Sequence, residues 1–514
     1  MKIFCRLFVL VLGVSAAAEP ADEWYVLLNG ADRLGYLHAS TEEADGRITS
    51  HQTMKLAVGR AGATIEISVE SSFVETADGA PVEARSVLNM GGTPLTGHAV
   101  FTDSAIQYTV RQGGGAPSTV NKPLPEPGWL PPAALERYVA KRLEAGDQEI
   151  SVRTMDIAGG PQVVTMTMRV AGEEDVEVYG RTVPAVVWDA EVSMMPGVAM
   201  REYVGHDGRR LKTTVELMPG LSLTVLLADR DLALSPLTPT EMIASTLVTP
   251  DRPIERPRAL RRARYEMRSI DGRPVRLPDL SSQRIVGWGE GSVTIEVDLD
   301  RDPLVAAPVP GAALRAASPM LDHSDPDVER LGQRWAAAAI DTDGDGAVGD
   351  AETAEALRAG VHAFIRKKDL SVGFASAGDV ARTAQGDCTE HAVLLAAVLR
   401  GAGMPARCVS GLVYADQFAG HAGVFGYHMW TQAFLDPDGA GPRPEQWTDL
   451  DATLPGVAYD ATHITLGVTD LNEGVMGNDM AALLPVLGNL QIQVLEAAHG
   501  APPPRPGGGD PAAP

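Results

Sequence analysis

Apolar residues at every second position, sustained from about residue 22 to 300, constrain this chain most. Ile65, Ile67 and Val69 alternate with Glu66, Ser68 and Glu70, and Val164, Met166, Met168 and Val170 alternate with Thr165, Thr167 and Arg169. Leu221, Leu223 and Val225 repeat the pattern, as do Val293, Ile295, Val297 and Leu299. Successive side chains of a strand point to opposite faces, so this alternation predicts half-buried antiparallel strands with one wet face. Asp78-Gly79, Asp207-Gly208 and Asp271-Gly272 supply turns between them. One helix, rich in Ala, Leu, Glu and Arg, is predicted from Pro131 to about Glu144. The Pro-rich stretch 232–258 marks a connection. It divides a β-rich domain at 19–235 from a linker and small β-rich unit at 236–302. Neither part holds a chemical constellation, and both read as scaffold or binding module.

A Pro/Ala-rich stretch at 303–320 precedes a region of different periodicity. Val328, Leu331, Trp335 and Ala339, then Leu357, Val361, Phe364 and Ile365, recur at helical spacing. The fold class is therefore α+β, with antiparallel β-rich units first and a mixed domain at 325–498. The tail 501–514 is mostly Pro, Gly and Ala, has almost nothing to bury and reads as disordered.

Charge and cysteine content narrow the partners. Among 514 residues, 43 Lys and Arg face 67 Asp and Glu, a net charge of −24. A nucleic-acid binder needs a basic face to replace phosphate counterions, and docking on anionic lipid needs the same. Only three cysteines are present, which excludes a disulfide scaffold. Lys2 and Arg6 flank a short apolar run from Leu7 to Val14, and Ser15-Ala16-Ala17-Ala18 follows. That is the pattern of a secretory signal, 1–18, cleaved after Ala18 and too short to span a bilayer. The expectation is an exported chain, periplasmic or extracellular, with no transmembrane segment after cleavage and with Cys388 and Cys408 retained.

The segment 341–352 carries carboxylates at positions 1, 3 and 5 (Asp341, Asp343, Asp345), Gly346 at position 6 and Glu352 at position 12. A hard cation such as Ca²⁺ takes six to eight oxygens, and glycine permits the sharp turn that brings them together. Position 7, Ala347, offers its carbonyl, and Gly349 stands at position 9. The match is to an EF-hand loop between two helices, with Ca²⁺ expected in a structural role. The plain alternative is a solvated acidic loop joining the helices.

The strongest chemistry begins at Gly386-Asp387-Cys388-Thr389-Glu390-His391, followed by the apolar helix pattern Ala392, Leu394, Leu395, Val398 and Leu399. Cys388 then sits on the first turn, where the helix dipole and unsatisfied N–H groups favour a thiolate. Downstream, His428, Trp430, Gln432 and Phe434 form an alternating run, and a second strand runs through Trp447, Asp449 and Asp451. Such a hairpin can place His428 beside Asp451, giving a base that takes the thiol proton and a carboxylate that fixes its tautomer.

Gly-Asp-Cys388, then Met404-Pro405-Ala406-Arg407 and Gly411, His428-x-Trp430 and Trp447-x-x-x-Asp451-x-Thr453, resemble the transglutaminase-like core over about 325–475. The resemblance implies a papain-like thiol fold that attacks amide bonds of a protein or peptide, hydrolysing them or moving the acyl group to an amine. It implies Cys388 as nucleophile, His428 as base and Asp451 as orienting residue, with Gln385 and Trp430 as cleft or oxyanion groups.

Rival assignments stay open at this level. His391, three residues after Cys388, competes for the base role, and Asp449 shares a strand face with Asp451. A zinc site from Cys388, His391 and His421 lacks a regular ligand pattern. Cys408 reads as packing, and Asp460-Ala461-Thr462-His463 as a structural turn. The competing function is a non-catalytic envelope or adhesion protein that keeps the fold without a reactive thiol.

Overall fold

The computed structural model describes residues 22–60, 62–91, 93–113, 117–195, 197–218, 221–241, 243–280, 282–300, 309–367, 374–436, 446–454, 456, 459–471 and 486–499. The expected signal at 1–18 and the tail at 501–514 lie outside these residues. No helix among the described residues is long and apolar enough to cross a membrane.

The alternating half forms one antiparallel sheet of fourteen strands. Its first eight are β1 (Asp22–Asn29), β2 (Asp32–Ala44), β3 (Arg47–Arg60), β4 (Ala63–Thr76), β5 (Pro81–Met90), β6 (Leu95–Phe101), β7 (Ala105–Gln112) and β8 (Ser118–Pro123). Helix α1 (Pro132–Glu144) follows, close to the predicted bounds. The remaining strands are β9 (Glu149–Asp156), β10 (Gln162–Val178), β11 (Arg181–Val192), β12 (Ala199–Gly205), β13 (Arg210–Met218) and β14 (Leu221–Ala228). Neighbours in sequence pair within β1–β8 and within β9–β14, and β1 pairs with β14, so two meanders join there and leave β8 and β9 as the two edges. Ile65, Ile67 and Val69 are buried while Glu66 and Glu70 are exposed, as the alternation requires. The buried face shares one core with Leu135 and Val139 of α1.

Strands β15 (Leu260–Ser269), β16 (Gln283–Gly289) and β17 (Ser292–Asp298) make the small β unit. Four helices come next: α2 (Pro326–Ala336), α3 (Asp350–Phe364), α4 (Ala377–Thr383) and α5 (Cys388–Gly401). A four-stranded antiparallel sheet follows, ordered β20-β19-β18-β21, from β18 (Ala406–Phe418), β19 (His421–Leu435), β20 (Gln446–Leu450) and β21 (Ile464–Thr469). The last strand among the described residues, β22 (Leu490–His499), lies outside that sheet and pairs with β15. The boundary drawn at 302–325 is thus crossed by a strand from beyond it. One core confirms the union, since Leu412, Tyr414, Phe425 and Ile464 pack with Tyr265, Val293, Ile295 and Ile492.

Candidate active site

Helix α5 is built to present Cys388 at its first position. Asp387 caps the helix by accepting from Thr389 N at 2.8 Å, and Glu390 reaches back to accept from Asp387 N at 2.8 Å. This reciprocal capping satisfies two end donors at once. The other Glu390 oxygen accepts from Ala375 N at 2.9 Å. Burial, and then the neighbouring Asp387 charge, push the Glu390 carboxyl up to about 8. Gly386 has a φ of +151°, and a Cβ there would lie 2.2 Å from Glu390 Cβ. Glycine at this position of the motif therefore protects the cap. Cys388 is half-buried, and neither it nor the buried Cys408 is in a disulfide.

His428 and Asp451 come together as the hairpin predicts. Strand β19 pairs with β20 in the register Thr431–Leu450, which carries the chain to Asp451 just past the strand end. His428 Nε2 lies 2.8 Å from Asp451 Oδ2. Cys388 lies near enough to the same ring to contribute to its charge balance, and Nδ1 is the ring nitrogen that Asp451 leaves open. Burial pulls His428 down, but the Asp451 charge and its hydrogen bond, with a contribution from Cys388, outweigh it and raise the ring to about 9. Asp451 is fully buried, yet the cationic histidines around it hold its carboxyl well below the usual range against that burial. Its Oδ1 accepts from Thr453 N at 2.6 Å. Arg358 of α3 donates to Asp451 O at 3.2 Å and His362 to Ala452 O at 2.8 Å, fixing the backbone as well.

The rivals are placed elsewhere. His391 donates from Nδ1 to Asp387 O at 2.6 Å, which ties its ring to its own helix cap. Asp449 Oδ1 accepts from Trp430 Nε1 at 2.9 Å and Gln432 Nε2 at 2.7 Å, so it orients Trp430. Among the described residues, Cys388, His391 and His421 form no group with converging ligand atoms. Gln385 pairs its side-chain oxygen with Lys367 at 3.2 Å.

The motif residues around the pair have local reasons. Gly411 leaves room for the Trp430 ring, since a Cβ there would sit 2.5 Å from it. Trp430 in turn stacks on His428 at 6.2 Å between centroids. Arg407 donates to Gln432 Oε1 at 2.9 Å and lies over Trp447 at 3.9 Å, continuing the chain through Asp449 to Trp430.

Sequence reasoning missed one residue. His463, read as part of a turn, is fully buried with Nε2 at 3.2 Å from Asp451 Oδ2 and Nδ1 at 3.0 Å from Asp460 O. The turn does exist, as His463 N donates to Asp460 O at 3.2 Å. The only available signal was a second histidine twelve residues past Asp451, beside an aspartate.

Among the described residues, two groups of side chains could hold a cation. In the first, ligand atoms of His428, Asp451 and His463 lie within 4.8 Å of one another, but ring nitrogens already bond the carboxylate. In the second, on the exposed loop between α2 and α3, Asp341, Asp343 and Asp345 oxygens lie within 4.8 Å of one another. Backbone amides turn those carboxylates inward: Gly344 and Gly346 donate to Asp341 at 2.6 and 3.0 Å, and Ala347 to Asp345 at 2.8 Å. Glu352 accepts from Gly349 N at 2.9 Å at the start of α3. Backbone hydrogen bonds hold both Asp341 and Glu352 below their ordinary values.

Residues 342–452 match the family described as the transglutaminase-like superfamily, a stretch that spans Cys388, His428 and Asp451. The chain thus carries a C-terminal transglutaminase-like domain, of the cysteine-dependent enzyme class, behind a β-rich N-terminal region. A search of curated proteins gives no match. Solved structures similar at low identity include three of different origin. A β-barrel-like protein of a domain of unknown function from Brucella abortus is 16% identical, covering 41% of this chain and 96% of its own, with a TM-score of 0.31. A candidate cysteine protease from Cytophaga hutchinsonii is 13% identical over 47% of this chain and 86% of its own, at 0.26. A candidate protease from Parabacteroides distasonis is 10% identical over 79% and 70%, at 0.17. Scores of this size describe only a loose likeness.

Proposed function

We propose that the chain is an exported thiol hydrolase that cleaves peptide or side-chain amides through Cys388, His428 and Asp451. The observation that carries this reading is the buried pair beside the cysteine: His428 Nε2 lies 2.8 Å from Asp451 Oδ2, and Cys388, at the first position of α5, adds to the charge balance of the same ring. The Cys388 sulfur attacks the amide carbonyl carbon, and the developing oxyanion faces the backbone N–H of Cys388 itself, the neighbouring Asp387 and Thr389 amides being held by the cap. His428 gives its proton to the leaving nitrogen, the C–N bond breaks and a thioester remains. Water then attacks the thioester with His428 as base, releasing the acid and restoring the thiol. An amine in place of water would give acyl transfer. Hydrolysis is the simpler outcome, because it needs no second substrate site. Export rests on the charged, apolar and small-residue pattern of residues 1–18.

Calcium at 341–352 belongs to the same proposal, as a brace. Three converging aspartates favour a hard cation, with Glu352, Ala347 and Gly349 completing the loop. Helix α3 begins at that loop and carries Arg358 and His362, which hold the backbone at Asp451 and Ala452. Bracing the loop therefore bears on the orienting carboxylate.

The test is incubation of the full chain with a panel of peptides and a labelled amine, read by mass. Cleavage that disappears in Cys388→Ala and His428→Ala supports the hydrolase. Label incorporation would move the reading to acyl transfer. Cys388 alkylation that is indifferent to His428→Ala, with no turnover of any substrate, would leave a binding protein.

A further inference from the structure

We infer that His463 is a positioning residue of this site, a buried imidazolium that holds Asp451 against His428 and limits how tightly the base keeps its proton. The inference rests on the reading of Cys388, His428 and Asp451 as the reacting group.

The proton count follows from the partners. His463 Nδ1 faces the Asp460 carbonyl at 3.0 Å and Asp460 Oδ1 at 3.5 Å. A carbonyl and a carboxylate can only accept, so Nδ1 carries hydrogen. Nε2 faces Asp451 Oδ2 at 3.2 Å, and the same oxygen meets His428 Nε2 at 2.8 Å. Asp451 Oδ1 is occupied by Thr453 N at 2.6 Å. A single proton on Oδ2 could serve only one of the two rings, and an ionised carboxylate serves both by accepting twice. His463 is then protonated on both nitrogens. Burial opposes that charge, but Asp460 and Asp451 together raise the ring to about 9.

Every charged neighbour fits this assignment. Arg258, from the segment leading into β15, ion-pairs with Asp460 at 2.5 Å. Charges therefore alternate along Arg258, Asp460, His463, Asp451 and His428. Tyr459 stacks on His463 at 4.3 Å, and Trp430 meets it edge-on at 5.1 Å, closing the ring's faces to water. Asp449 is occupied by Trp430 and Gln432. Tyr265 of β15 anchors the loop by donating to Ala461 O at 3.0 Å. A merely structural polar turn needs no second cation on the oxygen that already orients the base. Placed there, His463 offsets part of the pull of Asp451 on His428, which must release its proton to the leaving group in each turnover.

The magnitude follows from separation. The two imidazole centroids are 5.9 Å apart. Two unit charges at that distance, at an effective dielectric of ~20–40, shift each other by roughly one to two pH units. NMR of the full chain labelled in its histidine rings reads both groups, with His463 and His428 assigned by loss of signal in His463→Gln and His428→Ala. In the wild type, His463 is expected to show the shifts of a doubly protonated ring from pH 5.5 to 8. In His463→Gln, which keeps an N–H donor without charge, the His428 midpoint is expected to rise by about one to two pH units. A His463 ring that titrates near ~6.5 overturns the inference, and so does a His428 midpoint that stays or falls in a folded His463→Gln. If His463→Gln does not fold, the wild-type titration alone decides. Iodoacetamide alkylation of Cys388 on the same samples keeps the two questions apart. Indifference to His428→Ala sinks the enzyme reading, whereas a neutral His463 sinks only this one.

Discussion

Asp451→Asn tests the centre of the site with the least change of shape. The amide replaces a carboxylate oxygen that accepts from both His428 and His463 with a group that must donate to one of them or turn its oxygen away from Thr453 N. Facing an NH₂ group, His428 keeps its hydrogen bond only by moving its proton to Nδ1. That nitrogen then meets Cys388 as a donor and cannot take the thiol proton. The wild-type ring stands at about 9 against an ordinary 6.5. That difference of 2.5 pH units corresponds to about 3 kcal/mol favouring the imidazolium. Burial, which lowers the ring, is no longer offset in the variant, so the His428 midpoint is expected at or below ~6.5. Turnover of any amide substrate should fall by about 10³-fold or more, the size of a wrong-tautomer defect. The assay is the ring titration together with turnover across pH 5 to 10, on protein whose far-ultraviolet circular dichroism matches the wild type. An Asp451→Asn midpoint within half a pH unit of the wild type, or turnover reduced less than tenfold, would refute the assignment of Asp451 as the orienting group. The shift is opposite in sign to that expected for His463→Gln, so the pair of variants separates loss of the carboxylate from loss of its second cation.

Stability of the transglutaminase-like region should itself depend on pH. His428 and His463 both stand at about 9, above their unfolded value of 6.5, so their stabilising contribution is complete below about 6.5 and lost as pH rises through 9. Thermal midpoints followed from pH 6 to 10 should fall, and should fall less in Asp451→Asn. Gly386→Ala should push Glu390 out of the cap, because the new Cβ lies 2.2 Å from Glu390 Cβ. We expect a cost of about 1–3 kcal/mol in denaturant unfolding and a slower Cys388 alkylation. Calcium at about 10 mM should raise the thermal midpoint by the equivalent of roughly 1–3 kcal/mol for a site of 10⁻⁴–10⁻³ M, and Glu352→Gln should reduce that shift. A wild-type midpoint that ignores calcium sinks the loop as a cation site.

What could be read from the chain alone divides along sequence distance. The alternation of Ile65, Ile67 and Val69 is a local property of a pleated backbone, and it survives into the structure because one face has a core to meet. Cys388 at a helix start was legible for the same reason, since Asp387 and Glu390 act within four residues of it. His428 and Asp451 needed one more step, a hairpin whose register follows from its own alternation. His463 needed far more. Its position depends on β21 pairing with β18 and on Gln283 of β16 clasping Thr465, with bonds of 2.8 Å from Thr465 N and 3.0 Å to Thr465 O. Those partners are 182 residues apart, and no local pattern announces such a pairing.

The same long-range contacts change what the small β unit is for. Taken as a linker, it would leave the chemistry to α5, β19 and β20. Yet Arg258 reaches Asp460, Tyr265 reaches Ala461 and Gln283 reaches Thr465, so the segment bearing His463 is held on three points by residues from outside the helical region. The chain returns the connection, because β22 leaves the helical region to pair with β15. Two sheets that share a core, one of them completed by a strand from beyond the other, cannot move independently without opening that core. The orientation of Asp451 therefore has two supports of different origin. Arg358 and His362 on α3 fix its backbone from the side of the acidic loop. His463 fixes its carboxylate from the side of the small β unit. A carboxylate held from both sides can keep a buried imidazolium aligned with a half-buried thiol, which is the geometry that proton transfer between them requires.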